Sequence, residues 1–192
     1  MKYKINSTTA QKEISSFINK NLNDPWEGTV LANYKFVNNK QKGAMGEMIV
    51  EVLTKELGSI VKSAENGTAP YDRIIDGYKT EIKFSAAHSD NSKTDPALKR
   101  DKEGRCYWAI NHVGINKGWD RLIFCGADLV DGDVAFTMMW CTKQDFKECV
   151  DDGEFFRRQQ GGKDGGNDDY ICAGTKPVDW TKSKFVRSIA EW

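Results

Sequence analysis

Asp76-Gly77, set inside the stretch YDRIIDGYKTEIKFS at residues 71–85, constrains the fold of this chain more than any other pair. Both positions of a two-residue hairpin turn take positive φ, which Asp and Gly tolerate, so the dipeptide predicts a tight hairpin. A two-residue turn also sets the register. Ile75 then faces Tyr78, Ile74 faces Lys79, Arg73 faces Thr80, and Asp72 faces Glu81. Directly opposed side chains project on one face, about 5 Å apart at Cβ. Lys83, two residues beyond Glu81, shares that face, and Ile82 points to the other. The expected hairpin gathers Asp72, Glu81 and Lys83. Asp76 is explained by the turn itself and is left out of the site.

Two like charges directly opposed across a strand pair repel each other unless something lies between them. A divalent cation suits that position, because hard ions such as Mg2+ bind carboxylate oxygens and keep several waters. A lysine beside it can orient an attacking water and offset charge on a phosphate in transfer. The same residues also fit a plain wet sheet face on which Lys83 neutralises both acids. Spacing leaves both readings open, since Glu-x-Lys is a common tripeptide.

The rest of the chain supplies the frame. Thr8 with Gln11 resembles a capping box, and Ile14, Phe17, Ile18 and Leu22 recur at helical spacing, so a helix is expected over about 9–22. A second helix fits 41–57, with Met45, Met48, Ile49, Val52 and Leu53 on one side and Gly58 as its stop. SIVKSA after Gly58 reads as a short strand. Residues 86–105 form a long polar loop with room for a short helix. Apolar strands are expected at 106–113, 121–129 and 134–141. Thr142 with Asp145 caps a helix over 143–150, with EFFRRQQ as a further turn or two. QGGKDGGNDD is a glycine-rich loop, YICAG a small strand, and 177–192 a tail that packs back as a helix.

At 192 residues the chain makes one domain. It divides into an N-terminal helix and connection (1–40), a core (41–141) and a C-terminal helix, loop and tail (142–192). Helices before and after strands of high apolar content predict an α/β fold with a central mixed β-sheet flanked by helices on both faces.

Composition removes several function classes. The 28 basic and 28 acidic residues cancel, so affinity for a polyanion has to come from local placement and not from net charge. Five cysteines form no CxxC pair and sit among apolar neighbours, which reads as reduced, buried thiols in a cytoplasmic setting. His88 and His112 have no zinc-type spacing. The N-terminus has no signal-like apolar region, and no run approaches the roughly 20 apolar residues of a membrane span, so a soluble, intracellular protein is expected.

The order of pieces, GAMGE in a helix, Pro70-Tyr71-Asp72, Glu81-Ile82-Lys83, and then the apolar strands around WAINHV and WDRLIFCGADL, resembles the PD-(D/E)XK nuclease superfamily. Within it, the likeness is to small type II restriction endonucleases, over residues 43–141. Tyr71 separates Pro70 from Asp72, where the motif has them adjacent. The resemblance implies a restriction-endonuclease-like core in a single nuclease domain. It makes Asp72 and Glu81 metal ligands, the Ile82 backbone carbonyl a further ligand, and Lys83 the catalytic lysine. Glu47 matches the metal-contacting glutamate of the family's first core helix. Helical arithmetic puts Glu47 at the edge of the apolar face and Glu51 in the middle of the polar one.

The implied activity is a Mg2+-dependent endodeoxyribonuclease, with Mn2+ as a substitute ion. It would cut double-stranded DNA sequence-specifically as a homodimer whose two-fold axis matches a palindrome. Phage or recombination and repair DNA processing, and a non-catalytic DNA-binding relative, are the alternatives. DNA contacts are expected from Lys42, from Lys99 and Arg100, and from Asn111 and His112 after an apolar strand. Arg157, Arg158, Gln159, Gln160 and Lys163 add types that contact base edges or phosphates. For each segment, ordinary surface charge is the competing explanation. GGKDGG lacks the GK[ST] of a phosphate-binding loop, and one histidine beside His112 is too few for an HNH nuclease.

Overall fold

The computed structural model describes residues 8–90, 97–153, 156–158, 169–172 and 183–192. These form the helices α1 (Thr8–Leu22), α2 (Asn39–Glu56) and α3 (Lys143–Asp152). The strands are β1 (Val61–Ser63), β2 (Arg73–Ile75), β3 (Tyr78–Ala86), β4 (Ile110–Gly114), β5 (Arg121–Val130), β6 (Asp133–Thr142), β7 (Phe156–Arg158), β8 (Asp169–Cys172) and β9 (Arg187–Ser188).

Turn chemistry acts as expected. Asp76 and Gly77 take φ of 50° and 87°, and β2 pairs antiparallel with β3 through Ile75 to Tyr78, Ile74 to Lys79 and Arg73 to Thr80. Asp131-Gly132 closes the β5–β6 hairpin in the same way, with φ of 53° and 88°. The main sheet has the order β1-β2-β3-β5-β6-β9, in which β3 and β5 run parallel and the other neighbours antiparallel. A smaller antiparallel sheet has the order β4-β8-β7.

Alternation along β5 divides the core. Leu122 and Phe124 pack with Tyr71, Trp119, Phe146 and Cys149 beneath α3, whereas Ile123 and Cys125 pack with Ile75, Ile82 and Val50 beneath α2. The result is an α/β protein with a mixed six-stranded sheet and helices on both faces. The α3 capping box is formed, with the Thr142 side chain accepting from the Asp145 N–H and the Asp145 carboxylate accepting from the Thr142 N–H. Cys106, Cys125, Cys141 and Cys149 are buried free thiols. No helix among the described residues is long and apolar enough to cross a membrane.

The rotation of α2 differs from the expected one. Its buried stripe is Gly46, Val50 and Thr54, and Met48 and Val52 are about half exposed. A close approach sets this rotation, because a Cβ added at Gly46 would lie 2.3 Å from Cβ of Phe84 on β3. The helix turns its glycine toward the sheet, and Glu47 and Glu51 come to flank the contact. Gly46→Ala is accordingly expected to destabilise the protein by about 2–3 kcal/mol through overpacking. A thermal melt should show a fall of roughly 4–12 °C, and an unchanged melting temperature would refute the contact.

Three further elements depart from expectation. The described part of 86–105 carries isolated bridges, Ser89 to Leu98 and Arg100 to Cys106, and no helix. Residues 156–158 are strand instead of helix, because they pair with β8. The described part of the tail, 183–192, forms β9 and a 3-10 turn at Ile189–Glu191, because Ser188 and Arg187 pair with Met139 and Trp140 of β6 and cover that edge. The Trp192 indole N–H donates to Asp76 Oδ2 at 2.9 Å, tying the tail to the first hairpin turn. The Arg121 guanidinium lies between the rings of Tyr78, Trp140 and Trp192, at 3.5, 4.6 and 4.6 Å from their centroids.

Candidate functional site

The β2–β3 ladder stops one pair short of the expected Asp72–Glu81 opposition. The Asp72 N–H donates to the Thr80 carbonyl at 3.0 Å, and Asp72 Oδ2 accepts the Ile82 N–H at 2.7 Å. Asp72 is therefore folded back over the backbone of β3 instead of facing Glu81 across a ladder. Burial nonetheless lifts its carboxyl from 3.8 to about 6, and the charges of Glu81 and then Glu47 add to that rise against the Ile82 N–H and Lys83. Carboxylates from β3 and from α2 thus both bear on the one that precedes β2.

Glu81 is 3% exposed. Its Oε1 meets Lys83 Nζ at 2.8 Å and Lys117 Nζ at 3.4 Å. Glu47 Oε2 pairs with Arg73 Nη1 at 2.9 Å, and the same guanidinium holds Glu51 through Nε at 2.9 Å and donates to the Asp72 carbonyl at 2.8 Å. Hydrogen bonds from Lys55 and Arg73 keep the Glu51 carboxyl below its usual 4.5. Arg73 and Lys117 are the residues that sequence reasoning missed. A pattern pointing to Lys117 was present in GINKG, a loop bounded by glycines and leading into an apolar strand.

A cleft of about 830 Å³ opens over this cluster, and Glu47, Asp72, Ile82 and Lys83 line it. Glu81 lies behind Lys83 and outside the lining. Ser85 Oγ accepts the Ala109 N–H at 3.0 Å and anchors the approach to β4 beside β3. That anchor brings Asn111 and His112 to the cleft wall, with His112 at a φ of 57°. Lys42 lines the opposite wall, its Nζ 5.2 Å from the Tyr34 ring centroid.

Other basic candidates sit elsewhere. Lys99 lies over the Tyr107 ring, 4.8 Å from its centroid. Arg100 is bound in a two-point pair with Asp128, at 2.9 and 2.7 Å, and donates to the Gly104 and Leu129 carbonyls. Neither is among the lining residues. Arg157 and Arg158 fall on β7, and their side chains, together with Gln159, Gln160 and Lys163, lie outside the described residues.

Among the described residues, no three His, Cys, Asp or Glu side chains already stand together as a metal cage. The donor chemistry still suits a hard cation. Asp72, Glu81 and Glu47 are carboxylates, the Ile82 carbonyl adds a neutral oxygen, and a cation would offset both the burial that chiefly raises Asp72 and the charges of Glu81 and Glu47 that add to it. Lys83, Lys117 and Arg73 hold that place electrostatically in this arrangement. Burial pushes the Cys106 and Cys125 thiols up to about 12, which leaves those two unsuited to nucleophilic work. No family model, curated protein or solved structure matches the chain.

Proposed function

We propose that this protein is a Mg2+-dependent endodeoxyribonuclease of the PD-(D/E)XK type, acting on double-stranded DNA as a sequence-specific type II restriction enzyme and as a homodimer. One observation carries the reading: Asp72, buried within reach of the charges of Glu81 and Glu47, stands with Glu47 and Lys83 at a cleft. The packing of α2 against the strand that bears Glu81-Ile82-Lys83 supports a restriction-endonuclease-like core.

Asp72, Glu81, Glu47 and the Ile82 carbonyl would hold the ion. When bound, Mg2+ supplies Lewis-acid polarisation of a phosphoryl oxygen and acidifies water. The chain's own contribution is positional. Arg73 keeps Glu47 and the Asp72 backbone in one arrangement, so the acids do not reorganise as charge develops. Lys83 is the ammonium of the Glu81-Ile82-Lys83 tripeptide at the cleft surface, able to orient a water for in-line attack and to donate to a non-bridging phosphate oxygen. Hydrolysis then forms one phosphorus–oxygen bond from water and breaks the opposite one. Lys42, Asn111 and His112 on the walls serve as DNA contacts.

Supercoiled plasmid incubated with the purified protein and Mg2+ is expected to give discrete fragments sharing one terminal sequence. EDTA should stop the reaction, and Mn2+ should restore it. Intact plasmid at all metal concentrations, or equal cutting in chelator, would sink the proposal. A smear of shortening products would redirect it to DNA processing.

A further inference from the structure

Glu81 carries one negative charge and is contacted at Oε1 by two ammonium groups, Lys83 at 2.8 Å and Lys117 at 3.4 Å. The two ammonium groups share one oxygen of a side chain that is 3% exposed, so a metal ion can use that oxygen only if one of them gives way. The loop between β4 and β5 is fixed at several points to deliver it. The Lys117 side chain crosses Gly114, where an added Cβ would stand 3.0 Å from its Cγ and Cε. The Gly114 carbonyl accepts from the Trp119 indole at 2.8 Å and from the Lys117 N–H at 3.3 Å, and Lys143 Nζ donates to the Lys117 carbonyl. A Cβ at Gly118 would lie 2.9 Å from Cγ of Pro70, two residues before Asp72. The amine is thus anchored to the segment that enters the site.

We propose that Lys117 is a positioning residue that occupies the cation's place on Glu81, so that ammonium and divalent ion compete for this carboxylate. The proposal rests on the metal-dependent reading above. With the ion absent, Lys117 and Lys83 hold Glu81 in place through its Oε1. Ion binding to Glu81 would require Lys117 to withdraw toward solvent, while Lys83 already lines the cleft. Lys117 is 44% exposed in its side chain, which leaves it room to do so. This exchange lowers apparent metal affinity and keeps the buried acids from being left unpaired.

Calorimetric titration of Mn2+ into the full chain without DNA tests the idea. Lys117→Met is expected to bind Mn2+ about three- to tenfold more tightly than the parent, since removing a like charge from a ligand oxygen favours the incoming ion. Lys117→Arg should bind as the parent does. Thermal melts in EDTA establish that each variant is folded, and Lys117→Gln replaces Lys117→Met should the latter not fold. Equal or weaker binding by the folded charge-removing variant, with the parent binding Mn2+, overturns the role of Lys117 alone. A parent that takes up no Mn2+ overturns the metal-dependent reading and this inference with it.

Discussion

Asp72→Asn is expected to abolish DNA cleavage and, in metal-free buffer at pH 7, to stabilise the protein by about 2 kcal/mol. The two effects have one origin. In the folded protein the Asp72 carboxyl titrates near 6 instead of 3.8, mainly through burial and then through Glu81 and Glu47. A group whose folded value is raised favours folding in its protonated form. Its contribution is complete below about pH 4 and is lost as pH rises through about 6. At pH 7 the fold holds a carboxylate that burial and its neighbours oppose. Asparagine removes the charge and keeps a carbonyl oxygen to accept the Ile82 N–H, now at 2.7 Å from Oδ2.

Urea unfolding at several pH values checks the prediction. The advantage of the variant should be present at pH 7, shrink through pH 6 and vanish near pH 4. Saturating Mg2+ should stabilise the parent and leave the variant unmoved, because ion binding to the native state adds to its stability. An Asp72→Asn protein that is less stable than the parent at pH 7, or that still cuts plasmid, would be incompatible with this account.

Lys83→Ala is expected to lower cleavage about 10³-fold, the scale of losing a positioned proton-transfer group or charge-stabilising donor. Its effect on stability should have the opposite sign. Lys83 is the nearer of two cations on Glu81, at 2.8 Å, and the carboxylate it neutralises is 3% exposed. Removing it leaves Glu81 buried with Lys117 at 3.4 Å, a loss of about 1–3 kcal/mol, moderated by that second amine. Rates from the plasmid assay and midpoints from urea unfolding give both quantities. Two substitutions eleven residues apart in the chain are thus expected to suppress the proposed cleavage, one hardening the fold and the other softening it. Cleavage by Lys83→Ala within tenfold of the parent would remove the lysine from the chemistry.

Local chemistry made much of this frame readable in advance. The Asp76-Gly77 turn and its register, the apolar strands β5 and β6, and the Thr142–Asp145 cap depend on residues within a few positions of one another, and they form as expected. The expected Asp72–Glu81 pair did not form, because the residue before β2 uses its side chain to bind the β3 backbone. The face of α2 was misread because it is set by the Gly46–Phe84 approach and not by apolar periodicity. The partners of Arg73 and Lys117 are not legible in the sequence for a related reason. Those partners, on α2 and β3, lie 22 and 26 residues away for Arg73 and 36 for Lys117, and only the assembled sheet brings them together.

The pin between Trp192 and Asp76 spans 116 positions, and β3 finds its parallel neighbour only when Arg121 and the residues after it arrive beside Thr80. Contacts of such separation carry a large loop-closure entropy before they return any free energy, which makes them late events in folding. An isolated β2–β3 hairpin is marginal in water, although hairpins of this kind form within microseconds. The acids and the lysine therefore reach their strand early, and the surroundings that give them their charge environment follow much later. The β2–β3 hairpin is expected to form before β5 and the distant tail join the sheet.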